Sequence, residues 1–158
     1  MGTRALLIVN KKDVNVSNVF VSNDGCLDGF GSIIEKYIKR KHVNGYTDAF
    51  SQYNRIGNLI ALIVSEVVIS NTDSQRRVGA MFGHKTSEEL ACGSVEIVAN
   101  ADNLIQDCDY VYTLNFTCEI DKPEPPKIKV ISHSFDSGWI TVDDFSKLIV
   151  DGIPYDDE

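Results

Sequence analysis

Between Val21 and Ser32 the chain reads Val-Ser-Asn-Asp-Gly-Cys-Leu-Asp-Gly-Phe-Gly-Ser, so Gly25, Gly29 and Gly31 are interleaved with Asp24 and Asp28. Three readings fit these residues. A glycine-rich loop that runs into a helix presents backbone amides and the positive end of the helix dipole, which suits a phosphate. The two carboxylates oppose that, and no Lys or Arg occurs from Val21 to Glu35. The same carboxylates suit a cation or a cationic partner. In the third reading the loop is a corner joining two elements, since glycine serves positive φ or close backbone approach and aspartate favours turns.

Arg4 precedes an apolar run and is expected near the loop, paired with Asp24 or Asp28 through a charge-assisted contact. His42, His84 and His133 have no sequence-adjacent partners that would make a triad recognisable, and no Gly-x-Ser-x-Gly, His-Glu-x-x-His or P-loop motif is present. Metal-assisted hydrolysis by Asp24, Asp28 and a histidine stays open as an alternative. The candidate ligand- or partner-binding residues are therefore Arg4, Asp24, Gly25, Asp28, Gly29, Gly31 and His84. No catalytic residue, metal ligand or cofactor is assigned.

Cys26, Cys92, Cys108 and Cys118 form no Cys-x-x-Cys pair and read as reduced thiols; a zinc site recruiting His84 and Cys92 lacks the paired spacing that structural zinc uses. The formal net charge of −8 argues against general nucleic-acid binding, which needs a concentrated basic footprint. The basic clusters Lys36, Lys39, Arg40, Lys41 and Arg76-Arg77 read as solvated faces. With 43% hydrophobic and 24% charged residues the chain is expected to fold. No apolar run approaches the ~18 residues of a membrane span, and no secretory signal is evident. Leu6 stands where a myristoylation motif needs Ser or Thr. The expectation is one globular domain over residues 1–152, an acidic tail over 153–158, and a cytoplasmic location without membrane contact.

The elements that must hold the loop follow from hydrophobic period. Arg4–Asn10 and Val14–Val21 are expected to form a β-hairpin. Ser32 and Glu35 match a capping box, opening an amphipathic helix that ends near His42 with Asn44-Gly45 as its stop. Tyr46–Arg55 is undecided. Ile56–Ile69 carries a wide apolar stripe at helical spacing, Ser70–Gln75 breaks it, and Arg76–Phe82 reads as a strand. Val95–Ala99, Tyr110–Phe116 and Lys127–Ser132 follow as strands, the last two as hairpin partners, with a proline-rich connection between them. Thr141 caps a short helix in which Phe145, Leu148 and Ile149 face inward. This order predicts an α+β fold, a mostly antiparallel sheet of about five to six strands with two main helices on one face and a short C-terminal helix.

The opening Met1-Gly2-Thr3-Arg4, followed by Asp24-Gly25-Cys26-Leu27-Asp28-Gly29-Phe30-Gly31, resembles a family of small phage and bacterial proteins. Those proteins begin Met-Gly-Thr-Arg and carry a Trp-Asp-Gly-Tyr-Pro-Glu-Gly-x-Gly loop before a helix. Asp109-Tyr110-Val111-Tyr112-Thr113-Leu114 is similar to the same family's Tyr-rich strand. This chain departs from the pattern at Asn23, Cys26 and Leu27. The resemblance implies a phage or prophage setting. Together with the acidic charge, it leads to the expectation of a non-enzymatic accessory protein that binds and inhibits a host protein of defence or transcription. The alternative is a small-ligand, nucleotide-like binder or a metal-dependent hydrolase with its site at the glycine loop. Self-association is a further expectation, from the apolar excess of the Ile56 helix.

Overall fold

The computed structural model describes residues 2–48, 50–82, 93–117 and 124–153. An apolar run buried over most of its length makes β1 (Ala5–Lys11), and β2 (Val14–Val21), exposed at its start and mostly buried at its end, pairs with it as a hairpin turned by Lys12 and Asp13 at φ 49° and 65°. Both central residues at positive φ is the turn whose twist matches that of the strands. The chain then bends through the glycine corner and one π-type turn, Leu27–Gly31, into α1 (Ser32–Ile38). Two short strands follow, β3 (Lys41–Val43) and β4 (Gln52–Asn54), and then the long α2 (Arg55–Phe82). After these come β5 (Val95–Val98), β6 (Tyr110–Phe116), β7 (Lys127–Ser132), β8 (Phe135–Asp136) and α3 (Val142–Asp151).

The fold is α+β. Its six-stranded sheet runs β5-β2-β1-β6-β7-β8, with every neighbouring pair antiparallel except the central β1 and β6, which are parallel. The helices bury one face: Leu7, Val9, Val19, Tyr112 and Leu114 meet Ile34, Leu59, Ile63 and Phe145 there. On the other face a smaller cluster of Leu6, Val111, Ala101 and Cys108 is covered by the segment leading to β6. Thr141 caps α3 as expected, its hydroxyl accepting from the Asp144 amide at 3.1 Å.

Several expectations are corrected. Ser32 is not an N-cap. The helical run already begins at Leu27, and the Ser32 hydroxyl donates back to the Leu27 carbonyl at 3.3 Å, while Glu35 pairs with Lys39 one turn on. The first helix ends at Ile38, not near His42, because Lys41–Val43 pairs in parallel with Gln52–Asn54. Neither a break at Ser70–Gln75 nor a strand at Arg76–Phe82 exists, as α2 runs through both. Thr72 turns its hydroxyl back onto the Val68 carbonyl and Asn71 bonds Ser94, so polar residues there satisfy themselves without ending the helix. Within α2 the window Arg55–Thr72 has a mean hydropathy of 1.2. It is long and apolar enough to cross a membrane by length and composition, contrary to the expectation that no such run exists. Its stripe of Leu59, Ile60, Ile63 and Val67 is buried against the rest of the fold. Pro123 and residues 154–158 of the expected tail lie outside the described residues.

Candidate functional site

The glycine corner is built inward. Asp24 takes the left-handed conformation at φ 55°, and none of Gly25, Gly29 and Gly31 does. What these glycines provide is space. A Cβ on Gly25 would stand 2.6 Å from Ala5 Cβ and 2.8 Å from the Ala5 nitrogen, and one on Gly29 2.3 Å from the Asp24 carbonyl oxygen. Four amides of the corner are taken as well: Gly25 donates to Thr3 O at 3.0 Å, Phe30 to Asp24 O at 2.7 Å, and Gly29 and Gly31 both to Cys26 O at 3.1 Å. From the sheet, the buried Tyr112 hydroxyl donates to the Gly25 carbonyl at 2.8 Å. Burial, reinforced by Tyr110, Cys26 and Asp28, holds that phenol far above its usual range, so it acts as a neutral donor. Phe30 and Phe145 pack edge-on against the same ring at 5.9 and 6.2 Å.

The strand register brings further charges to this end of the sheet, since Ala5 lies opposite both Val21 and Tyr110, and Tyr110 opposite Ser132. The expected charge-assisted pair of Arg4 with Asp24 or Asp28 is not formed; it is the Arg4 backbone amide that bonds, donating to Asp109 Oδ2 at 3.0 Å. His133 Nε2 meets the other carboxylate oxygen of Asp109 at 3.0 Å. The Arg4 amide first, then His133, holds the Asp109 carboxyl below the usual range, so it stays ionised. Cys26 Sγ bonds Asp28 Oδ1 at 2.9 Å, and burial followed by the Asp28 charge raises the thiol. A raised thiol is a poor nucleophile at neutral pH. Beside the corner lies a cleft of about 430 Å³, lined by Asp24, Cys26, Asp28, Ser32, Ser70 and Asn71 among others.

Of the residues named from sequence, Asp24, Gly25, Asp28, Gly29 and Gly31 thus share one corner, and Arg4 sits at the same end of the sheet through Asp109. His84 and Cys92 lie outside the described residues. Among the described residues no group of three or more His, Cys, Asp and Glu side chains could hold a metal ion. Sequence reasoning missed Tyr112, Asp109 and His133 as parts of this end, because their partners are 87, 105 and 24 positions away in the chain.

His42 belongs to the opposite end. Its ring stacks on buried Tyr53 at 5.0 Å and meets Phe116 edge-on at 6.4 Å. Burial, then the Lys11 charge, lowers its proton affinity. An unfolded histidine titrates near ~6.5. With the folded value lowered, the unfolded chain binds the extra proton first. Stability from this group is full above about pH 6.5 and is lost as the pH falls from there through the folded value. Thermal melts between about pH 5.5 and about pH 7.5 should show a steeper acid loss for the wild type than for His42→Phe, which keeps the stack but cannot titrate.

Set against models of protein families, curated proteins and solved structures, the chain matches none.

Proposed function

We propose that this chain is a non-enzymatic binding protein that inhibits a basic partner through the acidic end of its sheet. In the phage setting that the resemblance implies, the partner is a host protein of defence or transcription met in the host cytoplasm. The observation that carries this reading is a rigid corner bearing like charges: exposed Asp24 and Asp28 stand on a loop tied to the sheet by Tyr112, with Asp107 and Asp109 at the same end. A surface already ordered before contact loses less entropy on binding. Concentrated negative charge also steers a basic partner and makes association sensitive to salt. The amides of Gly25, Gly29, Phe30 and Gly31 are used internally, and the carboxylates of Asp24 and Asp28 stand beside them, which disfavours a phosphate site there.

The test is capture from host lysate at about 50 mM and about 300 mM salt, across which screening shortens appreciably. Wild type should recover a partner at the lower salt, and Asp24→Asn with Asp28→Asn should associate about tenfold more slowly with that purified partner. Both substitutions suit the fold, because Asn tolerates the left-handed conformation and Asp28 is exposed. Recovery of nothing at low salt, or equal association by the neutralised chain, would sink the reading.

A further inference from the structure

The end of the molecule away from the glycine corner gathers positive charge that the net charge of −8 conceals. The last turn of α1, β3, β4, the entry to β7 and the first turn of α3 converge on a cleft of about 540 Å³. That is within the usual size of small-molecule sites. Lys39, Arg40 and Lys41 line it from one segment and Lys127 from another, and Glu124 and Asp143 line it as well. The cations are not equivalent. Lys39 is bound to Glu35 at 2.7 Å, and Arg40 lies over the Tyr37 ring at 4.6 Å. Lys41 and Lys127 are exposed and form no ion pair among the described residues. Lys11 adds its field from β1, near enough to His42 to disfavour the imidazolium.

We infer that this cleft binds a small phosphorylated molecule carrying hydroxyl groups, with its phosphate between Lys41 and Lys127. Two lysines from separate segments neutralise a phosphate through charge-assisted hydrogen bonds without needing a shared sequence motif. Glu124 and Asp143, also in the lining, accept hydrogen bonds from hydroxyls, since ionised carboxylates are acceptors only. The site is separate from the acidic end, so its test does not depend on the inhibitory reading.

Calorimetric titration of the full chain at fixed ionic strength tests the assignment with ribose 5-phosphate, inorganic phosphate and citrate. Ribose 5-phosphate should bind most tightly, inorganic phosphate more weakly, and citrate least. Lys41→Gln with Lys127→Gln should weaken ribose 5-phosphate by about tenfold or more, and Lys41→Arg with Lys127→Arg should retain it. Lys147→Gln, a charge change outside the cleft, should leave binding unaltered. Thermal melts without ligand establish that each variant folds. Absence of binding by both phosphates, citrate binding as tightly as ribose 5-phosphate, or an equal loss in Lys147→Gln would each overturn the assignment.

Discussion

Gly25→Ala should lower the stability of this protein by about 3 kcal/mol, a fall in Tm of about 6–12 °C for a chain of this size. The added Cβ would meet Ala5 Cβ at 2.6 Å, the Ala5 nitrogen at 2.8 Å and the Arg4 carbonyl carbon at 2.9 Å. Two of those atoms are backbone of the central sheet, so no side-chain rotation relieves the clash. Either β1 shifts, disturbing its pairing with β2 and β6, or the corner lifts and gives up the Tyr112 hydrogen bond. Gly57→Ala is the contrast. At that position nothing lies within 4 Å and the residue is inside α2, so alanine should add up to ~1 kcal/mol by helix propensity. Chemical denaturation of both variants reads the two signs directly; a Gly25→Ala chain as stable as wild type would show that the corner is not held against the sheet.

Tyr112→Phe should cost about 1–3 kcal/mol although it removes a single oxygen. The ring contacts with Phe30 and Phe145 survive the change. What is lost is the donor to the Gly25 carbonyl, which stays buried beneath the corner without its partner. An unsatisfied buried acceptor carries the full desolvation cost, whereas a hydrogen bond exchanged for water costs little. Urea unfolding should therefore show a lower midpoint with an unchanged slope. Under the inhibitory reading the same variant should also bind its partner more weakly while keeping every surface charge, because only the order of the corner has changed. A variant as stable as wild type would mean the carbonyl finds another donor.

The central elements were legible because their patterns are local. Arg4–Asn10, within a residue of the observed β1, and Tyr110–Phe116 read as strands from their apolar and β-branched content, and Thr141 announced α3 with a cap whose bond spans three residues. The long helix was misjudged where polar side chains turn back on their own backbone, as Thr72 does, since composition cannot distinguish that from a helix end. Lys41-His42-Val43 was absorbed into the first helix because a three-residue strand has no period to detect. The glycine corner was found by composition, which offered positive φ or close backbone approach as reasons for its glycines but could not choose between them or name the atoms approached. Positive φ falls on Asp24, while Gly25 is demanded by Ala5 twenty positions earlier. The basic cleft was invisible for the same reason: Lys41 and Lys127 belong to segments that only the folded chain brings together.

The parallel pairing of β1 with β6 places Ala5 beside Tyr110, so the middle of the sheet joins the start of the chain to its last third. On a ribosome adding ~5–20 residues per second, the amino-terminal hairpin waits about 5–20 s for its neighbour to emerge. During that interval Leu7 and Val9 have no partner on one side, and the hairpin alone is marginal in water. Such distant closure also slows refolding from denaturant, toward the millisecond-to-second range of chains rich in non-local contacts. Nascent copies are thus exposed to one another before the sheet can form, and expression at low temperature or with a co-produced holdase should raise the soluble yield.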